Sequence, residues 1–221
     1  MGIPERKQRE RDERRRLIFD KTKELILEQG LSGFSMQDVA RETELSKGTL
    51  YLYFENKEAL LSALLDEAVE AFLAFVGNRV SDSMTGIEAL RALWSAYMEL
   101  FGESQDVFIM IGIKNFIDPN FPLVPPPEGE DTDMPHYHLV NYIVSILQRG
   151  LDDGTLSTEI PAPQIARSVL LIASAIIDHV AKLPRTKRDT TLIQREMRNV
   201  FELMLRGLAA PGTKQADLTL R

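Results

Sequence analysis

Residues 34–60 read FSMQDVARETELSKGTLYLYFENKEAL, and their reading decides the fold. Ser35 is a good helix N-cap. Asp38, three residues on, can complete a variant capping box, and its charge favours the positive helix end. Phe34 before the cap and Val39 at the fourth helical position form a candidate hydrophobic staple. The helix so begun is predicted over about 36–43. Val39, Ala40 and Thr43 then face inward, with Ala40 small enough for a second helix to cross closely. Glu44-Leu45-Ser46 is the turn, in which Leu45 can plug the core and Ser46 can cap a third helix over about 47–53. Leu50 and Phe54, four residues apart, share one face and anchor it inward. The other face presents Lys47, Thr49, Tyr51 and Tyr53.

Such a face suits a nucleic-acid groove. Phenols can donate to phosphate oxygens, lysine supplies charge, and threonine can contact base edges or a thymine methyl. Gly48 removes a side chain where backbone must approach closely, and Asn56 is placed to cap a fourth helix with Lys57 beside it. In order, Ser35, Val39-Ala40, Thr43-Glu44-Leu45-Ser46, Gly48, Tyr51, Tyr53-Phe54, Lys57-Glu58 and Leu60 resemble the TetR (tetracycline-repressor) family of bacterial regulators. Counting a first helix, the resemblance is specific over about 45 residues; beyond them it rests on helix number and spacing. It implies that Gln37, Lys47, Gly48, Thr49, Tyr51, Tyr53 and Lys57 contact operator DNA, with Arg41 as a further candidate. One position departs from the family pattern: Glu44 stands where these proteins usually have glycine. The turn is then less tight, or Glu44 accepts strain, or it caps differently.

Composition sets limits on the whole. The chain has 221 residues, 44% of them hydrophobic, and no cysteine, which excludes disulfides, thiolate catalysis and cysteine-ligated metals. No apolar run approaches the roughly 18 residues of a membrane span, and the charged N-terminus lacks a signal-peptide core, so a cytoplasmic protein is expected. The net charge of −7 lies entirely behind the motif: residues 1–60 hold 12 basic and 12 acidic side chains, and the remainder 14 against 21. A neutral front and an acidic rear favour docking on DNA through one end only. The seven Lys/Arg among residues 6–16 form either a flexible phosphate-binding arm or a solvated tail, and residues 1–9 read as disordered.

Outward from the motif the chain reads as all-α, with about nine helices. A first helix is predicted over about 10–29, with Leu17, Ile18, Leu25 and Ile26 on its apolar stripe and Gly30 as its stop. Later helices are predicted over about 57–80, 87–102, 104–117, 136–150, 162–183 and 188–207, with a Pro-rich, acidic loop over 118–135 and a loose tail after Gly207. The expected domains are a helix-turn-helix DNA-binding domain at 1–56 and a helical ligand-binding and dimerisation domain at 57–221. The resemblance implies a homodimer through the helices at about 162–183 and 188–207, matching a palindromic operator. It also implies a small-molecule inducer, lipophilic or aromatic. Phe72, Phe75, Trp94, Tyr97, Met98, Phe101, Phe108, Met110, Phe116, Tyr137 and Tyr142 are the candidate pocket side chains, although each taken singly fits an ordinary core as well.

An alternative is a DNA-bound scaffold whose larger domain binds a protein, through loop 118–135, and no small molecule. His136 and His138 are two residues apart and point to different helix faces, and His179 follows Asp178, so a metal site is not expected. No phosphate loop, HExxH or nucleophile elbow is present, and neither an enzyme nor a cofactor is expected.

Overall fold

The computed structural model describes residues 3–103, 135–182 and 189–220. The expected helix at 104–117, most of the Pro-rich loop, and Phe108, Met110 and Phe116 lie outside them, as do the side chains of His136 and His179. Among the described residues the fold is all-helical: α1 (Ile3–Gln29), α2 (Met36–Glu42), α3 (Lys47–Tyr51), α4 (Lys57–Gly77), α5 (Gly86–Glu103), α6 (Pro135–Asp152), α7 (Ala162–Lys182), α8 (Thr190–Leu208) and a 3₁₀ turn (Gln215–Leu218). They form two compact units, Met1–Leu65 and Asp66–Arg221, and the division falls inside α4.

In the first unit α1 begins at Ile3, earlier than the sequence reading has it. The polar segment forms helix because its charges are spaced for it: Arg6 pairs with Glu10 at 2.9 Å and Arg9 with Glu13 at 3.6 Å, each one turn apart. The expected disorder of residues 1–9 is therefore corrected: from Ile3 onward they belong to a charged helical extension. The buried stripe also differs. Ile18, Phe19, Leu25 and Ile26 are buried, whereas Leu17 is 40% exposed. Gly30 ends α1 with φ +78°, as expected of a helix stop.

In the second unit α5 packs on both α6 and α8, and α6 packs on α7. Trp94 and Phe201 stack with ring centroids 5.2 Å apart, and Tyr97 meets Phe201 edge-on at 5.4 Å. The N-terminus of α5 is capped twice. Thr85 donates to Glu88 through both its amide and its hydroxyl, and the Gly86 and Ile87 amides donate to the side chains of Asp153 and Thr155. A Cβ at Gly86 would collide with the backbone of Gly150, and one at Gly150 with the side chain of Leu156.

The C-terminal segment is docked and not loose. Leu220 is buried, its amide donates to Glu202, and its carbonyl accepts from Arg198. Arg91 donates to the Ala216 carbonyl at 2.6 Å and pairs with Asp217. The polar composition of 213–219 hides this docking, because the anchors are mostly main-chain groups, joined by Leu220 and the Asp217 carboxylate.

Candidate nucleic-acid interface

The reading head is built by short-range capping. Ser35 Oγ accepts from the Asp38 amide, and the Asp38 carboxylate accepts from the Ser35 amide at 2.9 Å and the Ser35 hydroxyl at 2.6 Å, so the capping box of α2 is complete. The Ser35 hydroxyl and amide, with help from Arg41, hold the Asp38 carboxyl below its ordinary pKa. Phe34 and Val39 are both buried. Ser46 Oγ accepts from the Thr49 amide at 3.0 Å and starts α3, and Asn56 Oδ1 accepts from the Ala59 amide at 2.8 Å and starts α4.

These caps fix which way α3 faces. Leu50 is fully buried, and Phe54 is buried against Phe19, ring centroids 5.6 Å apart. Lys47 and Gly48 are exposed, Tyr51 is 46% exposed, and Thr49 and Tyr53 are half-buried. The Thr49 hydroxyl shares a 2.8 Å hydrogen bond with that of Ser46. Gln37 is exposed on α2, while exposed Arg41 is tied to Asp38 at 2.9 Å and Glu42 at 3.3 Å. A Cβ at Gly48 would approach nothing nearer than Ser46 Oγ at 3.9 Å, so the fold itself does not demand glycine there.

Lys57 sits differently from its neighbours in the motif. Its ammonium donates to the Leu31 carbonyl at 2.7 Å and the Phe34 carbonyl at 2.6 Å, and lies 3.9 Å from the centre of the Phe34 ring. Burial lowers its pKa, against the attraction of Asp38. The group braces the loop that leads into α2.

The candidate pocket residues in the second unit are mostly packed against one another. Phe72, Trp94, Tyr97, Met98 and Phe101 are buried, and Phe72 meets Tyr97 edge-on at 6.1 Å. Phe75 is covered by the Arg79 guanidinium, 3.5 Å above its ring, which in turn pairs with Glu99. Tyr137 and Tyr142 are half-buried on α6. The Trp94 indole N–H is buried without a hydrogen-bond partner among the described residues.

Residues 18–64 match the family of bacterial regulatory proteins described as tetR. The helix-turn-helix therefore lies in a tetR-family domain. An uncharacterized HTH-type transcriptional regulator of Haemophilus influenzae is 32% identical over 77 residues, covering 35% of this chain and 41% of that protein. The chain spans less than half the length of the curated relatives that it matches first. Two solved structures share the fold. FadR of Bacillus subtilis in complex with stearoyl-CoA has a TM-score of 0.64 at 18% identity, covering 86% of this chain and 97% of that one. AibR in complex with isovaleryl coenzyme A and operator DNA has a TM-score of 0.58 at 23% identity, covering 83% and 95%. The chain thus combines a tetR-type helix-turn-helix at its N-terminal end with a C-terminal helical unit, the fold of these structures.

Against the TetR pattern, Glu44 resolves one of the open alternatives. It has φ +54°. The Glu44 amide donates to Arg41 and the Leu45 amide to Ala40, which is the paired bonding of a Schellman turn with Glu44 at its left-handed position. The turn is tight, and glutamate bears the strain. A left-handed conformation costs a residue with a Cβ about 1–2 kcal/mol, partly offset by the greater freedom that glycine loses on folding. Glu44→Gly is therefore expected to stabilise the head by about 0.5–1 kcal/mol. A urea midpoint that stays put or falls would contradict this.

One TetR-head residue escaped the sequence reading. Leu52 is 81% exposed. The available signal was spacing: Leu50 and Leu52 are two apart on a helix and cannot both face inward.

Proposed function

We propose that this regulator is a homodimeric repressor that grips a palindromic operator through α3 and releases it when a small lipophilic ligand occupies the second unit. The observation that carries the DNA reading is the polarity of α3: Leu50 is fully buried, while Lys47, Gly48 and Tyr51 are exposed. Gln37, Lys47, Thr49, Tyr51 and Tyr53 are the proposed contacts, and Gly48 lets the backbone approach. Lys57 is proposed to act mainly as a brace behind them. Dimerisation is supported by leucines exposed on the last two helices: Leu171 on α7, and Leu192 and Leu203 on one side of α8.

The ligand reading draws on the acyl-coenzyme A esters in the two structures of like fold. The aromatic cluster around Trp94 supplies apolar contact, and its orphaned indole N–H would be satisfied by a ligand carbonyl. Because α4 continues from the first unit into the second, displacing its C-terminal half would move its N-terminal half. A ligand that prefers the released state by 100-fold supplies about 2.7 kcal/mol of coupling.

The test is a gel shift on duplexes enriched by the protein from a randomised pool, with and without stearoyl-CoA and isovaleryl-CoA. Loss of the shifted band on adding either ester supports the switch. An ester that binds the protein and leaves DNA affinity unchanged sinks it. The Gly48→Ala variant addresses the reading head separately. It is expected to raise helix stability by up to about 1 kcal/mol. Its DNA affinity is nevertheless expected to fall by at least about tenfold, since the added methyl stands where backbone and groove must meet. Unchanged affinity would remove Gly48 from the interface.

A further inference from the structure

Leu52 is the most exposed large apolar side chain among the described residues. It is the C-cap residue of α3 and follows Gly48 by one helical turn, on the side turned away from fully buried Leu50. Gly48 contributes no side chain to cover it. A lone exposed leucine on an ordinary surface needs no explanation. This one stands on a reading face otherwise made of Lys47, Thr49 and Tyr51. An isobutyl group can neither donate to a phosphate nor pair with a polar base edge, so it gains only by meeting carbon. The major-groove edge of duplex DNA offers one such group, the C5-methyl of thymine.

We propose that Leu52 is a specificity-determining residue that packs against a thymine methyl in the major groove. This rests on the reading of α3 as the DNA-contacting helix. A leucine against deoxyribose would add affinity without sequence preference, whereas a leucine against thymine selects one base pair.

The test uses the full chain and duplexes that the wild-type protein enriches from a randomised pool. Each thymine is replaced in turn by deoxyuridine, which removes the methyl and nothing else. One position per half-site is expected to weaken wild-type binding by about fourfold, the effect of one buried methyl group. Leu52→Ala is expected to bind the thymine duplex with the same loss and to be indifferent to uracil at that position. Because the side chain is exposed, Leu52→Ala should melt with the wild type, so a lost fold is not confused with a lost contact. The proposal is overturned if uracil at every position weakens wild type and Leu52→Ala by equal factors. It is equally overturned if Leu52→Ala loses affinity with no thymine position accounting for it, the result expected of a sugar contact. Failure of the wild type to enrich any sequence would overturn both this proposal and the reading of α3. Enrichment without a uracil-sensitive position coupled to Leu52 would overturn this proposal alone.

Discussion

Truncating Phe54 to alanine is expected to unfold the reading head while leaving the second unit folded. Phe54 is 7% exposed and packs on Phe19, which is itself buried and covered by the Arg15 guanidinium 5.1 Å from its ring. Large-to-small changes at buried phenylalanines cost about 3–5 kcal/mol. A unit of this size has a total stability of the same order, about 3–10 kcal/mol, so little folding free energy would remain. The only tryptophan of the chain, Trp94, lies in the second unit, so its fluorescence reports that unit while far-ultraviolet circular dichroism reports both. In urea, part of the helical signal should be lost well before the Trp94 transition, and DNA binding should vanish with it. Coincident transitions at the wild-type midpoint would show that Phe54 does not anchor the head.

Lys57→Met is the second large effect expected, and it separates a brace from a phosphate contact. The variant keeps the length of the side chain and removes the ammonium that bonds the Leu31 and Phe34 carbonyls. Hydrogen bonds to a charged group contribute about 1.5–3 kcal/mol each. Water can replace part of this at a half-buried site, so a loss of about 2–4 kcal/mol is expected in urea unfolding. DNA affinity should fall with the structure of the loop. The slope of log affinity against log salt, however, should stay at its wild-type value. A lysine that neutralised a phosphate would lower that slope by about 0.9 for each contact removed. A lower slope with undiminished stability would return Lys57 to the list of contacts.

What the sequence made legible follows a physical line between local and distant interactions. The capping box at Ser35 and Asp38, the Ser46 cap and the Asn56 cap all link residues three apart, and each is readable from residue type and spacing. The partners of Lys57 lie 23 and 26 residues upstream, so its brace could not be read, and its matching place in the family motif pointed to DNA instead. The docking of the tail on Arg91 spans more than 120 residues, and its shortest bond goes to main-chain oxygen, which leaves no mark in side-chain composition. The early start of α1 is a different case. The Arg6–Glu10 and Arg9–Glu13 spacings were present to be read, but a segment without apolar stripe looks unstructured when hydrophobicity is the guide. In the second unit, the sequence marked Trp94 and Tyr97 as candidate pocket side chains. It did not reveal that both close on Phe201, which separates packed core from freely available pocket wall.

The docked tail also bears on the order of events during synthesis. The first unit draws its core from residues up to Leu65, whereas the second needs Leu220 in place and Arg91 joined to Ala216. At about 5–20 residues per second, a ribosome needs roughly 8–30 s to travel between these points. For that interval the nascent chain carries a DNA-reading head able to close its own core, followed by helices whose final contacts have not yet been made. The head is therefore the first part of this chain able to close its core, and the docking of Leu220 is the last contact to form.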